Sequence, residues 1–247
     1  MSYNVGMTYA CLLSALFMLV SPEIVDNLDC RGCPAAPGPG IQAGVALPGE
    51  DADLVRADAQ VRALGQTDLL RNLRFAEARR RLERAKGDCA TPKARLRLES
   101  AVTMIGFMED VHTILRHNLA GYVFARGKLK GATVTNVTDE AIVVTPAVAN
   151  TWPMFCRLYR TNLGEAMDRF ILHGDVYGDP ALKGDQHVHA LAGVALMMGT
   201  VFADEPTAGD MRARYVRAAA GVSPYGRRLA AAMFPDVPLE TPRITND

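Results

Sequence analysis

The chain has no excess of either charge: 27 Lys and Arg face 27 Asp and Glu across 247 residues. A formal charge of zero supplies no global field to draw in nucleic acid. Aromatic residues are scarce, at 6%. With alanine frequent, that favours close-packed helices over an all-β sandwich. The cysteines, Cys11, Cys30, Cys33, Cys89 and Cys156, are too few and too scattered for a disulfide scaffold. Their odd number leaves at least one thiol unpaired if the others pair. A nucleophile elbow, a phosphate-cradling glycine loop and an H-E-x-x-H pair are all missing, so no motif names a reaction. What is present is a globular composition, 49% hydrophobic and 22% charged, in a length that suits one large domain or two small ones.

Only one apolar run stands out, Val5 to Val20, which carries no charge. It is short of the roughly 20 residues of a membrane span but fits the apolar core of an export signal. No Lys or Arg precedes it, the first basic residue being Arg31, and Glu23, Asp26 and Asp29 follow. Residues 1–22 are therefore expected to be a signal or membrane anchor, giving an exported or membrane-associated protein. The alternative is a buried amino-terminal helix over residues 5–20 and a cytoplasmic protein. Cys30 stands where a lipoprotein signal would place its cysteine, although Asp29 replaces the small residue expected before it. Cys30 and Cys33 form a C-x-x-C, but Pro34, Pro37 and Pro39 bar the helix that a redox pair needs. Two further zinc ligands are not at hand. Residues 23–52 read as a Pro/Gly-rich linker.

Helical patterning begins at Asp53. Phe75, Ala78, Leu82 and Ala85 form one apolar stripe, closed by Gly87 and Pro92. The next segment, from Pro92, supplies a second helix, so residues 53–120 are expected to form a helical hairpin region. A second helical region covers residues 151–235. It holds a long Ala/Leu/Met helix from Pro180, a helix capped around Thr207 to Asp210 and ending at Gly221, and a last helix stopped by Pro235. Residues 236–247 form a polar tail.

Between the two lies a strand-like interruption at 121–150. Gly131–Val137 and Ala141–Thr145 are rich in threonine and valine, and Thr138, Asp139 and Glu140 suit the turn between them. Gly121–Lys128 is expected as a preceding strand, and Pro146 ends the last clear one. Two strands are marginal in water, so a third strand or a helical platform must support them. The fold class expected is α+β, predominantly α, with helical hairpins around a small inserted β-meander. Trp152, the only tryptophan, either presents a docking surface or pins the hairpin to the next helix, and the pinning role is favoured.

Two constellations invite a chemical reading. Arg71 to Arg97 holds ten basic residues against three acidic ones, with Arg79, Arg80 and Arg81 as first contacts for a phosphate backbone. Without an aromatic platform or a recognised motif, a solvated helix face is the better account, and a nucleic-acid partner is not expected. His173, Asp175, Asp179, Asp185, His187 and His189 crowd one segment. An H-x-H pair converges on a strand but diverges on a helix, and this one enters a helix. Gly174, Gly178 and Gly184 account for the aspartates as turn and capping residues. His112 and His117 are roughly 140° apart around a helix and do not share a face. Asn136-Val137-Thr138 fits a glycosylation acceptor, meaningful only in a eukaryotic secretory protein. No catalytic residue, metal ligand or cofactor is assigned.

Phe75, Ala78, Leu82 and Ala85 resemble the second-helix pattern of a tetratricopeptide repeat, with Pro92 two residues late. Leu163, Ala166 and Phe170 echo it, with His173 in place of the last alanine. The segment 121–150 looks like a small SH3-like or Sm-like meander. Gly131, Val134, Val137, Asp139, Ile142 and Val144, followed by Trp152, resemble a hairpin of uncharacterised exported or membrane-anchored bacterial proteins with degenerate helical repeats. That resemblance implies no activity and no functional residues. The function expected is a non-enzymatic scaffold or interaction module at the bacterial envelope, with a protein or peptide partner. The alternative is a metal-dependent hydrolase using the loop His173 to His189.

Overall fold

Ala57, Val61 and Leu64 recur at helical spacing and are all buried, which sets the inward face of helix α1 (Glu50–Gly65). A computed structural model describes residues 49–65, 67–146, 148–174, 182–203 and 206–239. The expected export segment, Cys30 and Cys33, Asp175 and Asp179, and residues 240–247 of the tail lie outside the described residues. Helix α1 starts three residues ahead of the expected boundary at Asp53. Asp53 is needed inside its first turn, where its amide donates to Gly49 O at 3.0 Å. The buried Asp53 carboxylate then accepts from the amide and hydroxyl of Thr91 at 2.8 and 2.7 Å, tying α1 to the start of α3. Those bonds hold the Asp53 carboxyl below its ordinary pKa.

Helix α2 (Phe75–Gly87) buries Phe75, Ala78 and Leu82, the stripe read from the sequence, with Ala85 packed partly against the core. Helix α3 (Pro92–Asn118) begins with proline at its first position, follows Thr91, and packs on both α1 and α2. It is the central post: Leu98, Ile105, Met108, Val111 and Leu115 are all buried.

The sheet has three antiparallel strands in the order β1 (Thr133–Val137), β2 (Ala141–Thr145), β3 (Val148–Thr151). The turn at 138–140 closes as expected: Thr138 Oγ1 accepts from Ala141 N at 3.0 Å, and Thr138 N donates to Ala141 O at 2.9 Å. The supporting third strand comes from Val148–Thr151, beyond the proline at which the strand reading stops. The strand expected at Gly121–Lys128 is reduced to a single bridge, Val123 with Thr133. Gly121 and Gly127 take positive φ, 80° and 68°, which bends the segment away from a continuous ladder. Val134, Ile142 and Val144 face the core.

Trp152 opens helix α4 (Trp152–Leu158) and is 1% exposed. Its indole N–H donates to Thr138 O at 2.9 Å, and its ring meets His112 edge-on at 4.7 Å. It pins the hairpin turn to α3 and α4, as favoured from the sequence, and is not a surface anchor.

Helix α5 (Arg160–Met167) runs into a π-helical turn, Asp168–Leu172. Helix α6 (Asp185–Thr200) starts at Asp185, because Gly184 takes a positive φ of 55° that an α-helix cannot continue through; Pro180, from which the helix was expected, lies outside the described residues. It is buried almost all round, and at Gly193 a Cβ would lie 2.2 Å from Phe107 O, so this glycine sets how closely α6 meets α3. Helices α7 (Ala208–Val222) and α8 (Pro224–Met233) pack on its other side, with Ser223 Oγ capping Gly226 N at 3.0 Å. The α-rich α+β class is as expected. Among the described residues, no helix is long and apolar enough to cross a membrane.

Candidate functional site

The histidine-rich segment does not assemble around one point. His187 is buried, with Nε2 2.7 Å from Ile171 O, while His189 Nε2 lies 2.6 Å from the Tyr225 hydroxyl and its ring stacks on Phe107 at 4.5 Å. The rings therefore engage opposite neighbours, as helical spacing requires, and burial lowers the pKa of His189. His173 closes the π-helical turn and Asp185 opens α6. Among the described residues, no group of three His, Cys, Asp or Glu side chains gathers in a metal-binding arrangement. His112 and His117 separate as expected. His112 packs between Phe75 and Trp152, and burial lowers its pKa to about 4, whereas His117 is exposed.

Part of the basic run of 71–97 is neutralised where it lies. Arg97, 6% exposed, pairs with Asp58 of α1 at 2.6 Å, and Arg79 pairs with Glu109 of α3 at 2.7 Å. Arg95 donates to Cys89 O at 2.9 Å, Lys86 pairs with Glu83 at 3.0 Å, and Arg74 pairs with Glu77.

A different set of cations converges elsewhere. Glu165, on α5, accepts from the Tyr122 hydroxyl at 2.8 Å and from the amides of Ala125 and Arg126 at 2.7 and 2.9 Å. Asn162, one turn earlier and fully buried, donates to Arg126 O at 2.6 Å and accepts from Leu129 N at 3.4 Å. Between these anchors Gly127 has no alternative, since a Cβ there would lie 2.6 Å from Asn162 Oδ1. The loop is thereby fastened to α5 with the side chains of Arg126 and Lys128 left exposed. Burial, with help from Glu165, pushes the Tyr122 hydroxyl up to about 12. On the far side, Asp168 accepts both bonds of Arg214 at 3.0 and 3.1 Å and a third from the buried Tyr215 hydroxyl at 2.8 Å.

Three adjoining concavities meet at Arg160, which lines all of them. The largest, about 350 Å³, has a floor of Met167, Met198, Phe202 and Met211, with Arg126, Arg160 and Arg214 among its polar walls beside Glu165 and Asp168. A second, about 300 Å³, lies against Lys128, Arg157 and Arg160, and a third, about 100 Å³, against Arg71, Arg157 and Arg160. The side chains of Arg126, Lys128 and Arg157 make no ion pair among the described residues. Each carboxylate of the largest cleft already accepts three internal hydrogen bonds. The two smaller concavities, which no carboxylate among the described residues lines, are set to receive negative charge.

Cys156 borders the smallest concavity, but burial pushes its thiol up to about 12, so it is not a ready nucleophile. Among the described residues, no histidine lines any of the three concavities. None of Arg126, Lys128, Arg157, Arg160 and Arg214 was singled out from the sequence. The only local hint is that Arg157 and Arg160 stand three apart.

Comparison of the chain with protein-family models, with curated proteins and with solved structures returns no match.

Proposed function

We propose that this protein is a non-enzymatic interaction module that grips an acidic segment of a protein or peptide partner on the basic face around Arg160. The observation that carries this reading is the meeting of three concavities at one arginine, surrounded by the exposed cations Arg126, Lys128 and Arg157, which make no ion pair among the described residues. Arginine clusters recognise acidic motifs through charge-assisted hydrogen bonds, and several adjoining depressions suit successive side chains of one extended chain. The uncharged run Val5–Val20 supports placing the module at the bacterial envelope, as a scaffold. The hydrolase alternative gains nothing from His187 and His189, whose rings are occupied by separate partners.

The test is fluorescence anisotropy with a labelled poly-glutamate peptide against an uncharged poly-serine peptide of equal length. The acidic peptide is expected to bind and the serine peptide not. The pair of substitutions Arg126→Glu and Arg157→Glu, both on exposed side chains, should weaken the acidic peptide by about tenfold or more at low salt. Added salt should shrink that difference. Equal binding of the two peptides would refute the reading. Fractionation of cells making the full chain tests the location, and recovery only from the cytosol would remove the envelope.

A further inference from the structure

The basic face is not uniform. Around the two smaller concavities the ionisable side chains are cationic, apart from the half-buried Tyr159 and the buried thiol Cys156. The largest differs in kind, because its floor is three methionines and a phenylalanine and its charges nearly cancel, Arg126, Arg160 and Arg214 standing against Glu165 and Asp168. Met167, Met198 and Phe202 are buried, so a purely acidic chain would engage the smaller concavities and leave the half-buried Met211 in water. A purely apolar one would do the reverse. Methionine side chains are unbranched and polarisable, so such a floor adapts to differently shaped apolar groups. At about 350 Å³ the cleft falls within the range of built binding sites.

We infer, resting on the reading above, that the partner segment is acidic and apolar together: a large aliphatic side chain seats against the half-buried Met211, above the buried Met167 and Met198, and flanking carboxylates reach the exposed Arg157 and Lys128. The charge of the smaller concavities selects the acidic residues. The methionine floor selects the residue between them.

Two labelled peptides of equal length and equal charge separate this from charge recognition alone, one alternating glutamate with leucine and the other alternating glutamate with serine. Burying one leucine side chain is expected to make the leucine peptide bind about tenfold tighter or more. Met211→Gln, at a half-buried position on α7, should bring the ratio of the two affinities close to one. Arg80→Gln, on the exposed face of α2, should leave both affinities and their ratio unchanged, and circular dichroism confirms that each variant is folded. Equal affinities for the two peptides, or a leucine preference that survives Met211→Gln, would overturn this inference while leaving the acidic-partner reading in place. Binding of neither peptide overturns both. Tighter binding of phosphatidylglycerol vesicles or oligothymidine, lost in Arg157→Glu, also overturns both and reassigns the face to a lipid surface or to nucleic acid.

Discussion

Two basic regions of this molecule look opposite in sequence and in space. The run from Arg71 to Arg97 is dense in the sequence, yet Arg97 and Arg79 are met by Asp58 from α1 and Glu109 from α3, and Arg74 and Lys86 by Glu77 and Glu83 of the run itself. The face at Arg160 draws its cations from the loop after α3, from α4, α5 and α7, and from Arg71 of the first region, and no local stretch betrays it. What separates them is where the carboxylates are spent. In the first region Asp58, Glu77, Glu83 and Glu109 each meet a base directly, while Arg80 and Arg81 stay exposed on α2. In the second, Glu165 and Asp168 accept from backbone amides and tyrosine hydroxyls as well as Arg214, so much of their capacity goes to donors that carry no charge. A count of charges along the chain is therefore a poor guide to the potential at the surface.

If the first region uses its cations for stability, Arg97→Ala should have the largest effect. It strips the partner from Asp58 and removes a buried stem, and is expected to lower the unfolding free energy by about 3 kcal/mol in urea titrations while leaving peptide affinity unchanged. Asn162→Leu comes next and should cross the comparison, because it orphans Arg126 O and Leu129 N and frees the loop that carries the second region. A loss of about 2 kcal/mol together with weaker peptide binding is expected, and a loss of stability alone would show that the loop does not need its anchor to bind.

Acidification probes the seam between the regions, where His112 packs against Phe75 of α2 and Trp152 of α4. Burial, then Arg116, lowers its pKa from the ordinary 6.5 to about 4, against the opposing pull of Asp139 and Glu109. A histidine held neutral in the fold binds its proton more readily once unfolded. Its contribution is therefore complete above pH 6.5 and is lost as pH falls from there to about 4. Discounted for partial exposure, the loss is on the order of 1–2 kcal/mol. His112→Phe should flatten that part of a stability-against-pH curve; His189, also lowered, accounts for some of the remaining slope. Smallest of all, Arg80→Gln or Arg81→Gln on the exposed face of α2 should change stability by no more than about 0.5 kcal/mol. A larger change would show that these cations hold the fold as Arg97 does.

Much of the fold was legible residue by residue. The stripe Phe75, Ala78, Leu82 announced the buried face of α2, Pro92 marked the start of α3, and the alternating valines and threonines announced β1 and β2 with their turn at Thr138. Trp152 was readable as a packing element because so large an apolar ring is seldom left in water. The strand expected at Gly121–Lys128 formed only in its first half, as the bridge of Val123 with Thr133, and β3 was not foreseen. Both turned on partners remote in sequence: Glu165 and Asn162 claim the backbone of Ala125 and Arg126, where the ladder stops, while β2 offers its free edge to β3. Strand propensity responds to such neighbours more than helix propensity does.

By itself, then, the sequence determined what depends on local periodicity and backbone chemistry: which stretches are helices, which faces they bury, and where glycine and proline end them. It also determined that His187 and His189 point apart, since two residues two apart on a helix cannot share a face. Only the tertiary structure decided which charges are spent and which are left facing outward. Pairing runs between residues such as Arg97 and Asp58, or Tyr122 and Glu165, that are some forty positions apart, and it follows from helix packing and not from order along the chain.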